Sequence, residues 1–307
     1  MPIKTPTYLD SLRTKSEFVR KQFACEDQAQ PDEDGVPDPL EEERFEPVPK
    51  LVHKYENRVL CILTTACAAY CSFCTRRRIV GEGRAEESTK AQIDNWIEYI
   101  RRHPRITEAI LSGGDPFAAS DEIFLYAFNS ISGLDQIKVM RIGTRAVVSE
   151  PALIREPKLS VINSHSKPVY VGINFEHPDE ITPECERAVR ELRKAGAILY
   201  SQTVFLKGVN DDYETLRNLF TRLLECGVRP YYIYRCDPVR GLSRFRVDFR
   251  KEREIMTKLR KELSGLACPT YVIDTPHGSG KIPVPLDFWD FCDTRFVDFD
   301  GTPHKPV

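Results

Sequence analysis

The chain has 307 residues, 44 Lys and Arg against 46 Asp and Glu, and ten cysteines. A composition of 41% hydrophobic and 29% charged residues is that of a globular protein and excludes disorder over most of the length, while a formal net charge of −2 excludes a global pull toward polyanions. No apolar run reaches the ~18 residues of a membrane span and Met1–Asp10 has no apolar signal core, so neither membrane nor nucleic acid is an expected partner and the expected location is the cytoplasm.

Leu9, Leu12, Phe18, Val19 and Phe23 predict a short amphipathic helix across Tyr8–Phe23. Asp27–Pro49 is dense in Asp, Glu and Pro and reads as an extended lead-in with too few apolar residues for an element of its own. From Arg58 onward, short apolar runs alternate with helical patterns. Strands are predicted at Val59–Thr64, Ala109–Ser112, Ile137–Ile142, Val169–Asn174, Ile198–Val204, Tyr231–Arg235 and Tyr271–Asp274. Helices are predicted at Lys90–Arg102, Ile123–Ile131, Pro183–Ala195 and Tyr213–Cys226. Such alternation implies an α/β fold with a parallel sheet. No GxGxxG turn is present, and six or seven units fit a full or partial barrel better than a flat dinucleotide-binding sheet. In a barrel the chemistry is expected at the C-terminal strand ends.

Three features fall at those ends. Cys67-Ala-Ala-Tyr-Cys71-Ser-Phe-Cys74 follows the first barrel strand. Three thiolates on one loop can hold one metal centre, yet are one short of a full zinc or four-iron set, which leaves either a remote fourth ligand or an open metal position. Leu111-Ser112-Gly113-Gly114-Asp115 follows the second strand, where two glycines permit close backbone approach to a ligand and Asp115 can accept from an amine. Asp274-Thr-Pro-His-Gly278-Ser-Gly280-Lys281 ends the last strand. Lys281 can meet a phosphate, form a Schiff base or simply be an exposed loop lysine; the P-loop pattern fails because Ile282 follows it. The other seven cysteines (Cys25, Cys61, Cys185, Cys226, Cys236, Cys268 and Cys292) have no ligand spacing and read as packing residues.

Together these segments resemble the lysine 2,3-aminomutases, a radical S-adenosylmethionine family that also uses pyridoxal phosphate. The resemblance runs from about Asp38 to about Pro285. It includes Val52-His-Lys54-Tyr55 with Arg58, Cys71-Ser-Phe-Cys74-Thr-Arg76-Arg-Arg, Arg141-Ile-Gly-Thr-Arg145, His177-Pro with Glu180-Ile-Thr182, Arg229-Pro-Tyr-Tyr-Ile-Tyr234 with Cys236-Asp237, and Gly280-Lys281. It implies a radical S-adenosylmethionine-type partial (β/α)6 barrel over 51–285, after a helical and extended lead-in over 1–50 and before a short tail over 286–307.

Residue by residue, the resemblance implies a [4Fe–4S] cluster on Cys67, Cys71 and Cys74, with S-adenosylmethionine on Ser112, Gly113, Gly114 and Asp115. Lys281 would be the Schiff-base lysine of pyridoxal phosphate, with Arg58, Lys54, Tyr55 and Gln202 also binding that cofactor. Lys54 replaces a family arginine and keeps the charge without the bidentate fork. Arg76 matches the arginine for the substrate carboxylate, and Asp237 and Asp274 match the aspartates that grip a side-chain ammonium. Two carboxylates suit a cation and repel a substrate carboxylate, so L-lysine or a close cationic amino acid is the expected substrate, with 2,3-amino migration as the reaction. The segment Ile173-Asn174-Phe175-Glu176 departs from the family pattern, and Glu176 is expected to line the pocket, where it could bind a longer or different cation such as arginine or an amine. The altered segment also leaves open a different outcome such as deamination or elimination, and protein-bound lysine is a separate alternative that the aspartate pair argues against. A flavodoxin or ferredoxin is the expected electron donor, and a homodimer the expected assembly.

Overall fold

In a computed structural model, residues 5–23, 35–80, 85–275, 280–287, 296–298 and 300–305 are described. Two helices open the chain, α1 (Thr7–Lys15) and α2 (Glu17–Gln22). The sequence pattern reads as one helix, but Ser16 divides it. Its backbone is extended, its hydroxyl accepts from Val19 N, and the same hydroxyl donates to Asp179 Oδ2 at 2.6 Å. A Ser in this role caps a new helix more favourably than it continues the old one. Leu9, Leu12, Val19 and Phe23 join the main core, so this segment is part of the barrel's packing.

The sheet, among the described residues, has nine strands in consecutive order from β1 to β9. Its strands are β1 (Leu51–Tyr55), β2 (Arg58–Thr64), β3 (Glu108–Gly113), β4 (Val139–Thr144), β5 (Val169–Asn174), β6 (Ile198–Val204), β7 (Arg229–Tyr234), β8 (Thr270–Asp274) and β9 (Lys281–Pro283). β2 through β8 pair in parallel, while β1 and β9 add antiparallel edges. Crossover helices are α3 (Lys90–Arg102), α4 (Asp121–Ser132), α5 (Ala146–Ser149) with α6 (Lys158–Asn163), α7 (Pro183–Lys194), α8 (Tyr213–Glu225) and α9 (Phe249–Glu262). Six strand–helix units followed by a seventh parallel strand make an open barrel, in keeping with the expected partial (β/α)6 fold. The chain also forms a small hairpin of β10 (Phe296–Val297) and β11 (Pro303–His304).

Local signals explain the crossovers. Thr89 and Gln92 form a reciprocal capping box on α3, and Ser120, Thr182, Asp212 and Asp248 cap α4, α7, α8 and α9 through their side chains. Period two sorts the faces of the strands: in β3, Ala109 and Leu111 are buried against helices, while Glu108, Ile110 and Ser112 turn to the interior cavity. The strand predicted from Ile137 begins at Val139, because Ile137 is fully buried in the turn before it. β1, β9, α6 and α9 were not expected as elements.

The acidic lead-in also differs from expectation. Residues 42–45 form a one-turn 3₁₀ helix, and Val36 bridges to Val239 in the loop after β7. Val36 N donates to Pro238 O at 2.9 Å and Arg240 N to Val36 O at 3.2 Å. The described part of the lead-in, residues 35–49, is a strap that joins the loop after β7, through Val36, to Arg76, through Glu42. Of the remaining cysteines, Cys61, Cys185, Cys236 and Cys268 are buried and Cys226 is half-buried; Cys25 and Cys292 lie outside the described residues. Among the described residues no helix is long and apolar enough to cross a membrane.

Candidate active site

A cavity of about 620 Å³ runs through the interior of the open barrel. Its upper wall is made at the C-terminal ends of the strands by Cys67, Cys71 and Cys74 after β2, Ser112–Asp115 after β3, Thr144 and Arg145 after β4, and Asp237 and Asp274 after β7 and β8. Its lower wall holds Arg58, Glu108, Arg141, Tyr200 and Tyr232. Arg58 and Glu108 are register partners at the starts of β2 and β3. The interior is therefore an open cavity in which charged, aromatic and aliphatic side chains mix, rather than the packed layers of a closed barrel.

The three cysteines line the cavity as free thiols. Burial pushes all three up: Cys67 well above the ordinary thiol range, Cys71 upward, and Cys74 to about 11. Mutual repulsion adds to burial, since Cys71 and Cys74 both raise Cys67. Such a trio becomes three thiolates only with a cation to neutralise it. Among the described residues no three His, Cys, Asp or Glu side chains converge as a single-ion site. Three cysteines supply one thiolate to each of three irons of a four-iron cluster, and leave a tetrahedral zinc one ligand short.

The glycines at the end of β3 pack against the start of the cysteine loop. Gly113 has φ +138°, and a Cβ there would sit 2.3 Å from Thr64 O; at Gly114 it would sit 2.3 Å from Ala66 O. Gly114 N donates to Thr64 O at 2.6 Å and Asp115 N to Ala66 O at 2.8 Å, directly before Cys67. Asp115 was expected to receive an amine, but its carboxylate is already filled. It accepts from Thr144 Oγ1 at 2.9 Å, Arg145 N at 2.7 Å, Ala146 N at 2.9 Å and Phe117 N at 3.0 Å. It ties the ends of β3 and β4 together, and in this structure has little left for an amine.

Arg145 was not anticipated as a site residue. Its guanidinium is buried between the rings of Phe23 and Phe73, at 4.5 and 4.9 Å. Nη1 donates to Cys71 Sγ at 2.8 Å, and Nη2 donates to Glu180 Oε1 at 3.0 Å and to Gln22. The Arg141–Thr144–Arg145 run in the sequence was the available signal. Glu176 belongs to this buried group and not to the cavity, which corrects the expectation that it lines the pocket. It is fully buried, and its Oε2 accepts from Val204 N at 2.6 Å. Burial pushes its carboxyl up to about 8, with Arg145 opposing.

Also lining the cavity, Lys281 and Asp274 are paired, Nζ to Oδ1 at 3.0 Å. Lys281 Nζ also lies 5.5 Å from the Tyr234 ring, and Tyr234 Oη accepts from Gln202 Nε2 at 2.8 Å. Burial, reinforced by Asp274, pushes Asp237 up to about 7, while Lys281 and Lys54 pull it down. Arg58 stacks 3.7 Å over the Tyr55 ring, and Lys54 Nζ donates to Leu40 O at 3.2 Å. Gly278, in the same loop, lies outside the described residues.

Arg76 does line the cavity, but its fork is engaged. Nε donates to Glu42 Oε1 and Oε2 at 3.0 and 2.9 Å, and Nη2 to Oε1 at 2.7 Å. Nη1 donates to Ser112 Oγ at 2.8 Å and Gly113 O at 3.2 Å. Sequence reasoning missed Glu42, which sat unmarked in an acidic stretch 34 residues away.

Residues 61–220 match the family described as the Radical SAM superfamily. A putative L-lysine 2,3-aminomutase of Aquifex aeolicus is 42% identical over 250 residues, which is 81% of this chain and 67% of the relative. The L-lysine 2,3-aminomutase of Acetoanaerobium sticklandii is also 42% identical, over 80% of this chain and 59% of its own length. The glutamate 2,3-aminomutase of Clostridioides difficile is 35% identical, over 82% of this chain and 60% of its own. The chain thus spans from 59% to 67% of the length of these relatives. Among solved structures, a radical SAM methyltransferase from Sphaerobacter thermophilus matches with TM-score 0.52 at 18% identity, covering 73% of this chain and 68% of that one, a likeness of fold.

Proposed function

The chain belongs to the lysine 2,3-aminomutase family of radical S-adenosylmethionine enzymes, and from that premise we propose that it moves the α-amino group of L-lysine, or of a close cationic amino acid, to the β-carbon. The observation that carries this reading is that one cavity gathers both kinds of charge: Arg76 beside Ser112 and the three-cysteine loop, and Asp237 and Asp274 with Lys281.

Cys67, Cys71 and Cys74 would each hold one iron of a [4Fe–4S] cluster, with S-adenosylmethionine against Ser112–Gly114. Lys281 would anchor pyridoxal phosphate, whose phosphate group would meet Arg58 and Lys54. When bound, these groups supply the one-electron chemistry that opens an unactivated C–H bond and the electron sink that carries the migrating nitrogen.

The chain's own residues bind and orient. Arg58, braced on Tyr55, presents a fixed cation to a phosphate, and Lys54 adds a point charge beside it. Arg76 faces the cavity beside Ser112 and is the receptor for a carboxylate. Asp237 and Asp274 face an ammonium, and in its absence the Lys281 ammonium neutralises Asp274. Once the Lys281 nitrogen is committed to a cofactor, a substrate cation restores the balance. A glutamate side chain would instead meet two carboxylates. Tyr234, Gln202 and the strap limit water here. Glu176 lies behind the wall and offers no carboxylate to a longer cation such as arginine.

The test is product analysis. Reconstituted protein, given S-adenosylmethionine, pyridoxal phosphate and a reductant such as reduced flavodoxin, is expected to form a β-amino product from L-lysine and none from L-glutamate. Absence of β-amino product from L-lysine and L-arginine alike, with the cluster intact, overturns the reading.

A further inference from the structure

Arg76 has five N–H donors, and the protein itself uses four of them. One edge, Nε and Nη2, is closed bidentate on Glu42, and both Nη1 hydrogens go to Ser112 and Gly113. An incoming carboxylate finds a single hydrogen on Nη2. Guanidinium recognises a carboxylate best through two parallel N–H bonds; here the Nε/Nη2 edge is occupied by a carboxylate of the same chain, and the Nη1/Nη2 edge has given its Nη1 hydrogens to Ser112 and Gly113. Glu42 is only 6% exposed, so solvent does not dilute the pair.

A receiver for Glu42 stands beside it. Arg78 Nη2 lies 3.7 Å from Glu42 Oε2, just beyond hydrogen-bond reach. Arg78 is held in place by Asp38 at 3.0 Å and Glu43 at 3.0 Å. Its Nη1 is buried without a hydrogen-bond partner among the described residues. A shift of about one ångström would carry Glu42 from Arg76 to Arg78 without leaving either charge unpaired, whereas stranding a buried charge is costly. The one-turn helix that bears Glu42 is the middle of the strap whose Val36 is bonded to the loop after β7, next to Asp237. The residue on Arg76 and the loop that bears Asp237 are therefore joined through this strap.

We propose that Glu42 is an internal competitor for the substrate α-carboxylate, which seats on Arg76 only as Glu42 passes to Arg78. This rests on the reading of Arg76 as the carboxylate receptor. Glu42 is then a specificity residue: a ligand without an α-carboxylate cannot displace it, so an amine such as 1,5-diaminopentane leaves the pair closed.

The two neighbours of the exchange have opposite effects. Glu42→Gln keeps the shape and removes the competing charge, and is expected to lower the Kd of L-lysine about tenfold. Arg78→Gln removes the receiver and is expected to raise that Kd about tenfold. Both are measured by equilibrium binding to the holoenzyme without reductant, with 1,5-diaminopentane as the control ligand, whose Kd neither variant should change. A merely structural role would weaken L-lysine binding in both variants, and that outcome, or no change in either, overturns the proposal. Arg76→Lys separates the two levels. If it leaves L-lysine binding unchanged, the assignment of Arg76 falls; if it weakens binding while Glu42→Gln does not strengthen it, only the exchange falls. Glu42→Asp, shorter by one methylene, gives a second variant should Glu42→Gln not fold, with the same direction expected because its shorter reach loosens the hold on Arg76.

Discussion

Lys281 and Asp274 are register partners across the antiparallel β8–β9 pair, and their side chains close to 3.0 Å. The pair places the one nucleophilic amine of this edge against one of the two carboxylates assigned to the substrate cation. It makes the covalent and the electrostatic roles of Lys281 separable. Lys281→Arg keeps a cation beside Asp274 and cannot form a Schiff base, so it is expected to fold normally and lose all activity. Lys281→Ala should lose activity and bound pyridoxal phosphate together, as read by absorbance. Asp274→Asn should retain the cofactor and raise the KM for L-lysine by roughly tenfold to a hundredfold, the worth of one charge-assisted hydrogen bond.

Asp237 gives a pH signature. Its folded value of about 7 lies above its ordinary 3.8, so the carboxylate that receives the cation forms only as pH rises through about 7. The KM for L-lysine should fall across that range and level off above it. The stability effect has the opposite sign: a raised value contributes stability below about pH 4 that is lost as pH rises through about 7. Asp237→Asn should flatten the KM profile and raise the melting temperature at pH 8. A KM profile unchanged by the substitution would show that another group titrates there.

Gly114 should be intolerant for a stated geometric reason. A Cβ would fall 2.3 Å from Ala66 O, backbone that cannot rotate away. Gly114→Ala is expected to cost about 1–3 kcal/mol and to displace the loop before Cys67, so iron content after reconstitution should drop along with stability. Full iron loading in a stable variant would contradict the role given to this turn.

Arg145 is the buried counter-charge of the cysteine loop. Arg145→Met would leave Glu180 unpaired in the interior and remove the donor to Cys71, with a loss of about 3–5 kcal/mol in stability expected. Adding Glu180→Gln should recover much of that stability but not the donor to Cys71. In the double variant the cluster should therefore be harder to reduce than in the parent, because N–H bonds to cluster sulfurs favour the reduced state. An EPR-monitored potentiometric titration reads this directly.

What the sequence made legible follows from range. Apolar runs and helical periodicity are local signals, and the helices expected at Lys90–Arg102 and Tyr213–Cys226 and the strand expected at Ala109–Ser112 formed within a few residues of expectation. The cysteine loop and Lys281 were legible as motifs, and the cavity brings both to one place. Three features were not legible, each for a nonlocal reason. Glu42 looked like one more solvated acid until folding set it on Arg76. Asp115 carries a ligand-like motif, but the register of β3 beside β4 brings it three donors from the end of β4, in addition to Phe117 N of its own turn. Glu176 follows a strand whose last cavity-lining residue is Asn174, and the chain then turns it inward, where Val204 N meets it.

The most direct test of the account is to trap the cofactor on the chain. Holoenzyme reconstituted with pyridoxal phosphate, reduced with borohydride, digested and sequenced by mass spectrometry should carry a phosphopyridoxyl group on Lys281. A group on any other lysine, or on none, would contradict the assignment of this cavity.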